Sequence, residues 1–379
     1  MISICHVTVG LGIGGIEQLL VDLVSRRDRA RFSYSVCCLV EGGPREEQLK
    51  ELGAPIHHVH GTSASDPRTL FRLARLFRRL RPDILHIHCP LYASWVIPAG
   101  LLGGVGKIVA SVHNTYWHTG AKLAAVRLLA ALQRRWVAKT IAVSAAVADY
   151  VRAEGCSSAD RVTVIHNGID LSRFHPESAE PRLRRELGLD ANVPIVGVVA
   201  SLTTQKGLSH LIDAMALISA QCPGAHCVLI GDGPLRQALE SRAHALGLAN
   251  SIHFLGRREQ VERDVVDCDV FVLPSLWEGF GLVVAEAMAL GVPVVASDLP
   301  TIAEVAGSGG SAVLVPPAHP RAIAEAVLDL LSDRERRDEM GRRGRQRARE
   351  FDVGRMVARV EAVYDEILGA SPDVKGDGP

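Results

Sequence analysis

The strongest constraint on the fold is a pattern that occurs twice, in which short β-rich runs alternate with longer helical stretches. In the first half these runs are Ile2–Val9, Ser33–Val40, Ile84–His88, Lys107–His113, Thr140–Val143 and Val162–His166. In the second half they are Pro194–Val199, Cys227–Ile230, Ser251–Leu255, Val270–Leu273, Pro293–Ala296 and Ala312–Val315. Such alternation is typical of βαβ units, in which helices join and cover parallel strands. The sequence therefore predicts an α/β protein with two doubly wound parallel sheets.

The length of the chain and a polar stretch near its middle indicate two domains. At 379 residues the chain is too long for one ordinary α/β domain and long enough for two that each bury a core. A polar, proline-bearing stretch between the two series indicates a linker. We predict a first domain over residues 1–172, a linker over 173–193, a second domain over 194–350, an amphipathic helix over 352–368 and a disordered tail over 370–379.

Composition and charge exclude several classes of protein. Aromatic residues make up 4% of the chain and are not interleaved with basic ones, which argues against a nucleic-acid partner. The chain enters its first strand-like run without a signal-peptide pattern, and no stretch fits a membrane-spanning helix, so we expect a cytoplasmic protein. Residues 1–172 carry 20 Lys and Arg against 13 Asp and Glu, whereas the remainder carries 22 against 29.

The most specific motif follows the apolar run Val270–Leu273. It reads Glu-Gly-Phe-Gly-Leu-Val-Val-Ala-Glu and extends from Glu278 to Glu286. A strand, a glycine-bearing turn and the start of a helix together present unpaired backbone N–H groups to a phosphate. Because the two glutamates are eight residues apart, about two helical turns, we expect both carboxylates on one face. That arrangement can hold two hydroxyl-rich groups at once.

This motif resembles the Glu-x7-Glu signature of retaining GT-B glycosyltransferases, specifically glycosyltransferase family 4, and the resemblance extends over nearly the whole chain. It implies two doubly wound domains that face each other across a cleft, with the last helix crossing back to the first domain. It also implies that Glu278 contacts hydroxyls of the donor sugar and that Glu286 binds the ribose. The backbone amides that approach the sugar and phosphate would be those of Gly279, Phe280, Gly281 and Leu282.

A second segment, from Ser201 to Gly207, resembles the family's Arg-Leu-x-x-x-Lys-Gly loop, whose two cations hold the donor diphosphate. Lys206 matches the lysine, which implies that it stabilises negative charge as the diphosphate departs. Ser201 stands where the family has arginine, and a serine brings one hydrogen-bond donor but no charge. Either Lys206 does most of the neutralising, or Arg257 or Arg258 compensates.

The stretch from Gly10 to Gly15 follows the first predicted strand and satisfies the dinucleotide pattern GxGxxG. That pattern alone is weak, and Glu41 lies late for the acidic partner that a dehydrogenase requires. Gly14 and Gly15 instead resemble the family's Gly-Gly-x-Glu loop, where a close approach of the backbone to the donor diphosphate and sugar demands residues without side chains.

Three further positions resemble family features. His113 ends an apolar run and is similar to the cleft histidine that lies near the donor sugar and acceptor. Gly231 and Gly233 resemble the Gly-x-Gly turn beside the nucleotide, and Arg257 lies in the segment that resembles the loop where the base docks.

The resemblance implies a retaining glycosyltransferase that moves a sugar from a nucleotide-diphosphate donor to a glycan or lipid-linked acceptor, in cell-surface polysaccharide or glycolipid synthesis. His113, Lys206 and Glu278 would carry catalysis without a metal or other cofactor. His86 and His88 have suitable spacing for metal ligands, but the sequence shows no third ligand, so we expect no metal site. Three alternatives stay open: a nucleotide-sugar epimerase, a dehydrogenase, and a non-catalytic partner protein on a degenerate transferase scaffold.

Two basic helical stretches in the first half, Asp66–Asp83 and Lys122–Lys139, predict reversible contact with an anionic membrane surface. In the first, leucine and phenylalanine recur at steps of three and four, and no acidic residue interrupts the arginines Arg72, Arg75, Arg78, Arg79 and Arg81. The second adds further basic residues and Trp136. The alternative is that the apolar residues pack on the sheet and the arginines face water.

Overall fold

The computed structural model describes residues 1–40, 42–59, 67–88, 93–115 and 130–369. Glu41, the predicted tail over 370–379 and the first part of the basic stretch Lys122–Lys139 lie outside these described residues. The chain forms two compact units, one made of Met1–Gly168 with Val353–Pro379 and the other of Ile169–Asp352. Each unit contains one parallel sheet, which confirms the two doubly wound domains that the alternating pattern predicts.

The first unit is built on a seven-stranded sheet in the order β3-β2-β1-β4-β5-β6-β7. Its strands are β1 (Ile2–Thr8), β2 (Phe32–Cys38), β3 (Ile56–His58), β4 (Ile84–Ile87), β5 (Ile108–Val112), β6 (Lys139–Ala142) and β7 (Val162–Val164). Its helices are α1 (Gly15–Arg26), α2 (Arg45–Glu51), α3 (Pro67–Leu80), α4 (Ala93–Leu102) and α5 (Ala145–Ala153), and residues 130–136 are also helical. The sequence pattern missed β3, because a three-residue edge strand is too short to show an alternation.

The second unit is built on a six-stranded sheet in the order β10-β9-β8-β11-β12-β13. Its strands are β8 (Ile195–Val199), β9 (His226–Ile230), β10 (Ile252–Gly256), β11 (Val270–Leu273), β12 (Val294–Ser297) and β13 (Val313–Val315). Its helices are α6 (Leu183–Leu187), α7 (Leu208–Gln221), α8 (Arg236–Ala245), α9 (Glu262–Val265), α10 (Leu282–Ala289), α11 (Pro300–Ala306), α12 (Pro320–Ser332) and α13 (Arg334–Ala348). All neighbouring strands run parallel.

The last helix, α14 (Val353–Leu368), packs on the sheet of the first unit. Its apolar face joins the core that covers β1 and β2, and Tyr364 within that face is fully buried. Burial of each such large side chain contributes about 1.5–3 kcal/mol. At Gly168 a Cβ would lie 2.4 Å from the Cα of Val353, so the close approach requires glycine. The predicted crossing of the last helix to the first domain is confirmed.

The segment interpreted as a linker, residues 173–193, lies in the second unit and is held there by ion pairs. Arg182 contacts Asp264 at 2.7 Å, and Asp264 is completely buried on its side of the pair. Arg184 contacts Asp269 at 2.8 Å. These bonds fix the entry of the chain into β8.

Helix α3 divides its apolar and basic residues between two faces. Leu73 and Phe77 are fully buried in the core of the first unit. The opposite face exposes Phe71, at 70% of its surface, together with Arg72, Arg75, Arg78 and Arg79. Among the described residues, no helix combines the length and the apolar character needed to cross a bilayer.

Candidate active site

The strand orders place one candidate ligand site on each sheet. In the second sheet the order reverses between β8 and β11, and in the first sheet it reverses between β1 and β4. The connections that leave two such strands go to opposite faces of the sheet, which opens a crevice at their carboxyl ends. The predicted site residues of the second unit follow these strands or the neighbouring β9 and β10, and those of the first unit follow β1 and β5.

Lys206 and Glu278 meet at the crevice of the second sheet. The Lys206 Nζ lies 2.5 Å from the Glu278 Oε1, and the Ser275 hydroxyl donates to the same oxygen at 2.7 Å. Glu278 is 8% exposed, so its charge is compensated inside the protein and not by water. The sequence placed both residues at the donor site but did not predict that they bond to each other.

The two loops that carry this pair are bonded along their length. The Leu276 amide donates to the Gln205 carbonyl at 2.7 Å, and the Gln205 side-chain amide donates to the Trp277 carbonyl at 3.0 Å. Gly207 has a φ of +60°, and a Cβ there would lie 2.1 Å from the Pro274 carbonyl oxygen. The glycine after Lys206 therefore permits both the left-handed backbone and the contact between the loops.

Helix α10 begins directly after Gly281, whose φ is +87°. A Cβ at Gly281 would lie 2.4 Å from the Cδ1 of Ile302, so the turn requires glycine. No side chain caps the helix. The Val284 amide donates to the Gly281 carbonyl at 2.9 Å, so the amides of Leu282 and Val283 are the ones that can face an anion, and the helix dipole favours one there.

Phe280 lies between the two glycines of this turn, but its side chain belongs to the core. It is 3% exposed and contacts Phe351 edge to face, with ring centroids 5.4 Å apart. The backbone of Gly279 and Phe280 lies in the turn, whereas the phenyl ring anchors it. Any contact of Phe280 with a ligand would come from its amide.

The two glutamates of the motif occupy different kinds of structure. Glu278 lies in the turn, because the helix begins only at Leu282, whereas Glu286 lies within α10 and is partly exposed. The sequence predicted a turn followed by a helix, but the expectation of both carboxylates on one face applied the helical repeat from Glu278 onwards. The left-handed Gly281 breaks that periodicity.

Gly231 and Gly233 allow the loop after β9 to pass close to the loop after β8. Gly231 has a φ of +140°, and a Cβ there would lie 1.9 Å from the Ala200 carbonyl oxygen. At Gly233 a Cβ would lie 2.6 Å from the Leu202 carbonyl oxygen. Both positions thus shape the loop that carries Ser201.

The two arginines proposed to compensate for Ser201, Arg257 and Arg258, differ in the ion pairs that they form. Ser201 itself is exposed. Arg258 is bonded to Glu186 and to Asp264, the latter at 3.1 Å, and these acids raise the pKa of its guanidinium. Arg257 is exposed and forms no ion pair among the residues that the structure describes. Of the two arginines, Arg257 is the one left for a ligand.

In the first unit, Gly14 and Gly15 lie exposed where the loop after β1 enters α1, whose first residue is Gly15. Gly14 is the N-cap of α1 and has no side chain to cap the helix, whereas the Glu17 carboxylate bonds to its own backbone amide in the first turn. At the third helical position, desolvation raises the pKa of Glu17. The loop therefore offers bare backbone at the point where the first sheet reverses its strand order.

His113 follows β5 and is the last member of a hydrogen-bonded histidine chain that the sequence did not reveal. Its Nε2 lies 3.2 Å from the Nδ1 of His88, and the Nε2 of His88 lies 3.0 Å from the Nδ1 of His6. The sequence analysis found no third ligand beside His86 and His88, and the structure corrects this, because His6 lies opposite His86 on the neighbouring strand. Only the pairing of β1 with β4 reveals this contact.

Two family models match the chain, one in each half. The model described as Glycosyltransferase Family 4 matches residues 13–173, and the model described as Glycosyl transferases group 1 matches residues 179–347. Together they cover every strand except β1 and every site residue that the sequence predicts.

Curated relatives are similar over most of the chain. EpsF of Bacillus subtilis (strain 168), a glycosyltransferase by name, is 29% identical over 314 residues, which are 81% of this chain and 82% of EpsF. The UDP-Gal:alpha-D-GlcNAc-diphosphoundecaprenol alpha-1,3-galactosyltransferase of Escherichia coli is 26% identical over 79% of this chain and 80% of its own. Crystal structures of Anabaena HepE, in complexes with UDP and glucose and with UDP-glucose, have a TM-score of 0.85 at 23% identity. The complex with UDP and glucose covers 96% of this chain and 100% of HepE, which shows a shared GT-B fold.

Proposed function

Because the chain belongs to the GT-B glycosyltransferases of family 4 and group 1, we propose that it transfers a sugar from a nucleotide-diphosphate donor to an acceptor hydroxyl, with retention of configuration. The observation that carries the proposal is the Lys206–Glu278 pair beside the uncapped start of α10. One cation, a row of backbone amides and a buried carboxylate are the groups needed to hold a diphosphate and a sugar hydroxyl side by side.

Lys206 and the α10 amides act on the leaving group. As the bond between the anomeric carbon and the diphosphate oxygen breaks, negative charge grows on that oxygen, and fixed donors stabilise it. The pairing to Glu278 and the bonds between the two loops hold Lys206 in place before the donor arrives. The protein thereby supplies charge stabilisation without a divalent ion, and Arg257 adds a second cation where Ser201 brings none.

The carboxylates hold the donor. Glu278 accepts hydrogen bonds from sugar hydroxyls, and Glu286 accepts them from the ribose. Since the Oε1 of Glu278 already accepts bonds from Lys206 and Ser275, it is a weak nucleophile. Retention then follows from attack on the face that the diphosphate leaves, and the departing oxygen takes the proton of the acceptor hydroxyl.

The first unit contributes His113, Gly14 and Gly15. His113 donates a hydrogen bond to the sugar, and the exposed glycine loop lets backbone amides approach the sugar and diphosphate. We assign the acceptor to cell-surface polysaccharide or lipid-linked glycan synthesis, since the E. coli relative acts on a diphosphoundecaprenol-linked sugar by name.

Release of nucleoside diphosphate from UDP-, GDP- and ADP-sugars, measured with and without acceptors in EDTA, tests the proposal. A donor present at 100 times its Kd should add about 2.7 kcal/mol to the free energy of unfolding, so a thermal-shift screen identifies it first. Binding without release from any donor would favour the non-catalytic alternative. Absence of both binding and release would contradict the proposal.

We expect Glu286→Ala to weaken binding of the free nucleoside diphosphate. Loss of the carboxylate leaves the ribose hydroxyls without their partner, which costs about 1–3 kcal/mol, or roughly 5- to 150-fold in Kd. Isothermal titration with the nucleoside diphosphate measures the effect. Glu304→Ala, a glutamate on the neighbouring helix α11, is the control and should bind as the parent does. Equal affinity of Glu286→Ala and parent would refute the ribose assignment.

We also propose that the exposed face of α3 contacts anionic lipid. Because Leu73 and Phe77 are fully buried in the core, the contact would be made by the arginines and Phe71 of the other face. Each cation near an anionic surface contributes about 1 kcal/mol. The double variant Arg75→Gln/Arg79→Gln should therefore bind phosphatidylglycerol vesicles about 30-fold more weakly than the parent at low salt.

Co-sedimentation with vesicles measures this difference, and binding of the parent should fade as salt is added. Arg334→Gln/Arg342→Gln on α13 removes the same charge from exposed positions of the second unit and should leave binding unchanged. Parent protein that stays in the supernatant with anionic vesicles would exclude the contact.

A further inference from the structure

The buried row of imidazoles His6, His88 and His113 crosses three neighbouring strands of the first sheet. His6 lies on β1, His88 directly follows β4, and His113 directly follows β5. Successive rings are 5.3 and 5.4 Å apart between centroids and stack nearly parallel, at 28° and 19°. His6 and His88 are 0% and 2% exposed, whereas His113 is partly exposed. The row of imidazoles thus leads from the core to the partly exposed histidine that we assign to the donor sugar.

Each ring in the row carries one proton at neutral pH. Burial lowers the pKa of His6 to about 3 and that of His113 to about 4, and it holds the pKa of His88 well below its usual range. The His6 Nδ1 and His88 Nε2 share one hydrogen, and the His88 Nδ1 and His113 Nε2 share another. Because His88 has a single proton to give, the row has two consistent states: all three rings protonated at Nδ1, or all three at Nε2.

The free end of the row distinguishes these two states. The His6 Nε2 is buried and has no hydrogen-bond partner among the described residues. The all-Nε2 state would place an N–H at this position, and a buried N–H without an acceptor is rarer in proteins than an unfilled acceptor. The all-Nδ1 state leaves only a lone pair there. In that state His6 donates to His88, and His88 donates to His113.

We propose that His6 and His88 are positioning residues that fix His113 in its Nδ1-protonated tautomer, so that His113 presents an N–H donor and not a base. Nothing in the described part of the chain bonds to the Nδ1 of His113, which leaves that N–H for a ligand oxygen. The role of this donor in binding the sugar rests on the proposed function. The tautomer itself does not depend on that function.

A metal ion held by His6, His86 and His88 is the competing account of the same cluster. The potential ligand atoms of these residues are separated by up to 4.8 Å. Two nitrogens that bind one zinc at about 2.1 Å can be no more than about 4.2 Å apart. In addition, both ring nitrogens of His86 are bonded to hydroxyls, at 2.5 Å to Tyr364 and 2.7 Å to Ser111. The hydrogen-bonded row fits the observed distances and the metal site does not.

Long-range ¹H–¹⁵N NMR of the full chain, labelled with ¹⁵N-histidine, reads the tautomer of each ring directly. The His113 signals are assigned from their loss in His113→Gln. We expect His113 with a proton on Nδ1 and a bare Nε2, and the same state in His6 and His88. A proton on the Nε2 of His113, or one zinc per chain in elemental analysis, would overturn the proposal.

Two substitutions then test the effect on His113. His88→Phe removes both bonds, so the tautomer of His113 should become mixed and kcat should fall about 10- to 100-fold, as for other partners that orient a functional histidine. His88→Gln, which can accept from His6 and donate to His113, should restore most of both. An unchanged His113 tautomer in folded His88→Phe would refute the positioning role. If this variant does not fold, the tautomer of His113 in the parent still tests the proposal. An Nδ1-protonated His113 in a protein without transferase activity would support the row and reject the function.

Discussion

Lys206→Met should lower kcat about 10²- to 10³-fold and change the Kd of the donor far less. Lys206 is proposed to act on charge that develops as the diphosphate leaves, and removal of one such donor costs about 3–4 kcal/mol in the transition state. Methionine keeps the length of the side chain but not its charge. Single-turnover rates and donor affinity, measured separately, distinguish a loss of catalysis from a loss of binding.

The contact between Lys206 and Glu278 requires a second variant, because Lys206→Met also leaves a carboxylate buried without its cation. That loss should lower the free energy of unfolding by about 1–3 kcal/mol. In Lys206→Met/Glu278→Gln neither charge is present, so stability should recover while turnover stays low. Recovery of turnover in the double variant would show that Lys206 serves only to neutralise Glu278, and an unchanged kcat in Lys206→Met would dismiss its catalytic role.

The fold could be predicted from the sequence because it depends on local patterns. Strands and glycine turns can each be recognised from a short stretch of sequence, by its hydrophobic pattern or by its glycines. The turn at Gly281 is of this kind, since only a residue without a Cβ fits its left-handed backbone beside Ile302. The loops that carry the candidate site follow from the same rule, which places them at the carboxyl ends of parallel strands.

The bonds within the site could not be predicted, because they join residues that only the strand order brings together. Lys206 and Glu278 are 72 positions apart, and their contact depends on β8 and β11 being neighbours. His6 and His88 are 82 positions apart and meet because β1 pairs with β4. Phe280 shows the converse, since a residue within the motif turned out to anchor the turn from the core. Motifs thus identified the loops, and the sheet topology determined the partners.

A further large effect concerns pH, because burial lowers the pKa of five histidines in the first unit, including the half-buried His57, and the shift is large for four of them: His6, His86, His88 and His113. In the unfolded chain each would titrate near 6.5. Between that pH and the lowered folded pKa, which is about 4 for His113, the unfolded state binds more protons. Stability is therefore fully present above about pH 6.5 and is lost as the pH falls.

The free energy of unfolding of the first unit should decrease by about 5 kcal/mol between pH 7.5 and 5.5, since each of the four imidazoles contributes about 1.4 kcal/mol per pH unit below 6.5. That is a large fraction of the 5–15 kcal/mol typical of a domain, roughly enough to unfold it. Burial raises the pKa of Glu17 and Glu361, and these two carboxyl groups therefore oppose the effect of the histidines.

Urea denaturation at pH 7.5, 6.5 and 5.5 measures how steeply the free energy of unfolding changes with pH. Tryptophan fluorescence follows the first unit, because three of the four tryptophans precede Gly168. His86→Asn replaces one titrating ring by an amide that can still bond to Tyr364, so its slope should be smaller than that of the parent by about 1.4 kcal/mol per pH unit. His244→Gln removes an exposed histidine from α8 and should keep the parental slope. Equal stability of the parent at pH 7.5 and 5.5 would mean that these rings gain protons within the folded protein. That result would also contradict the proposal that the row of imidazoles is neutral.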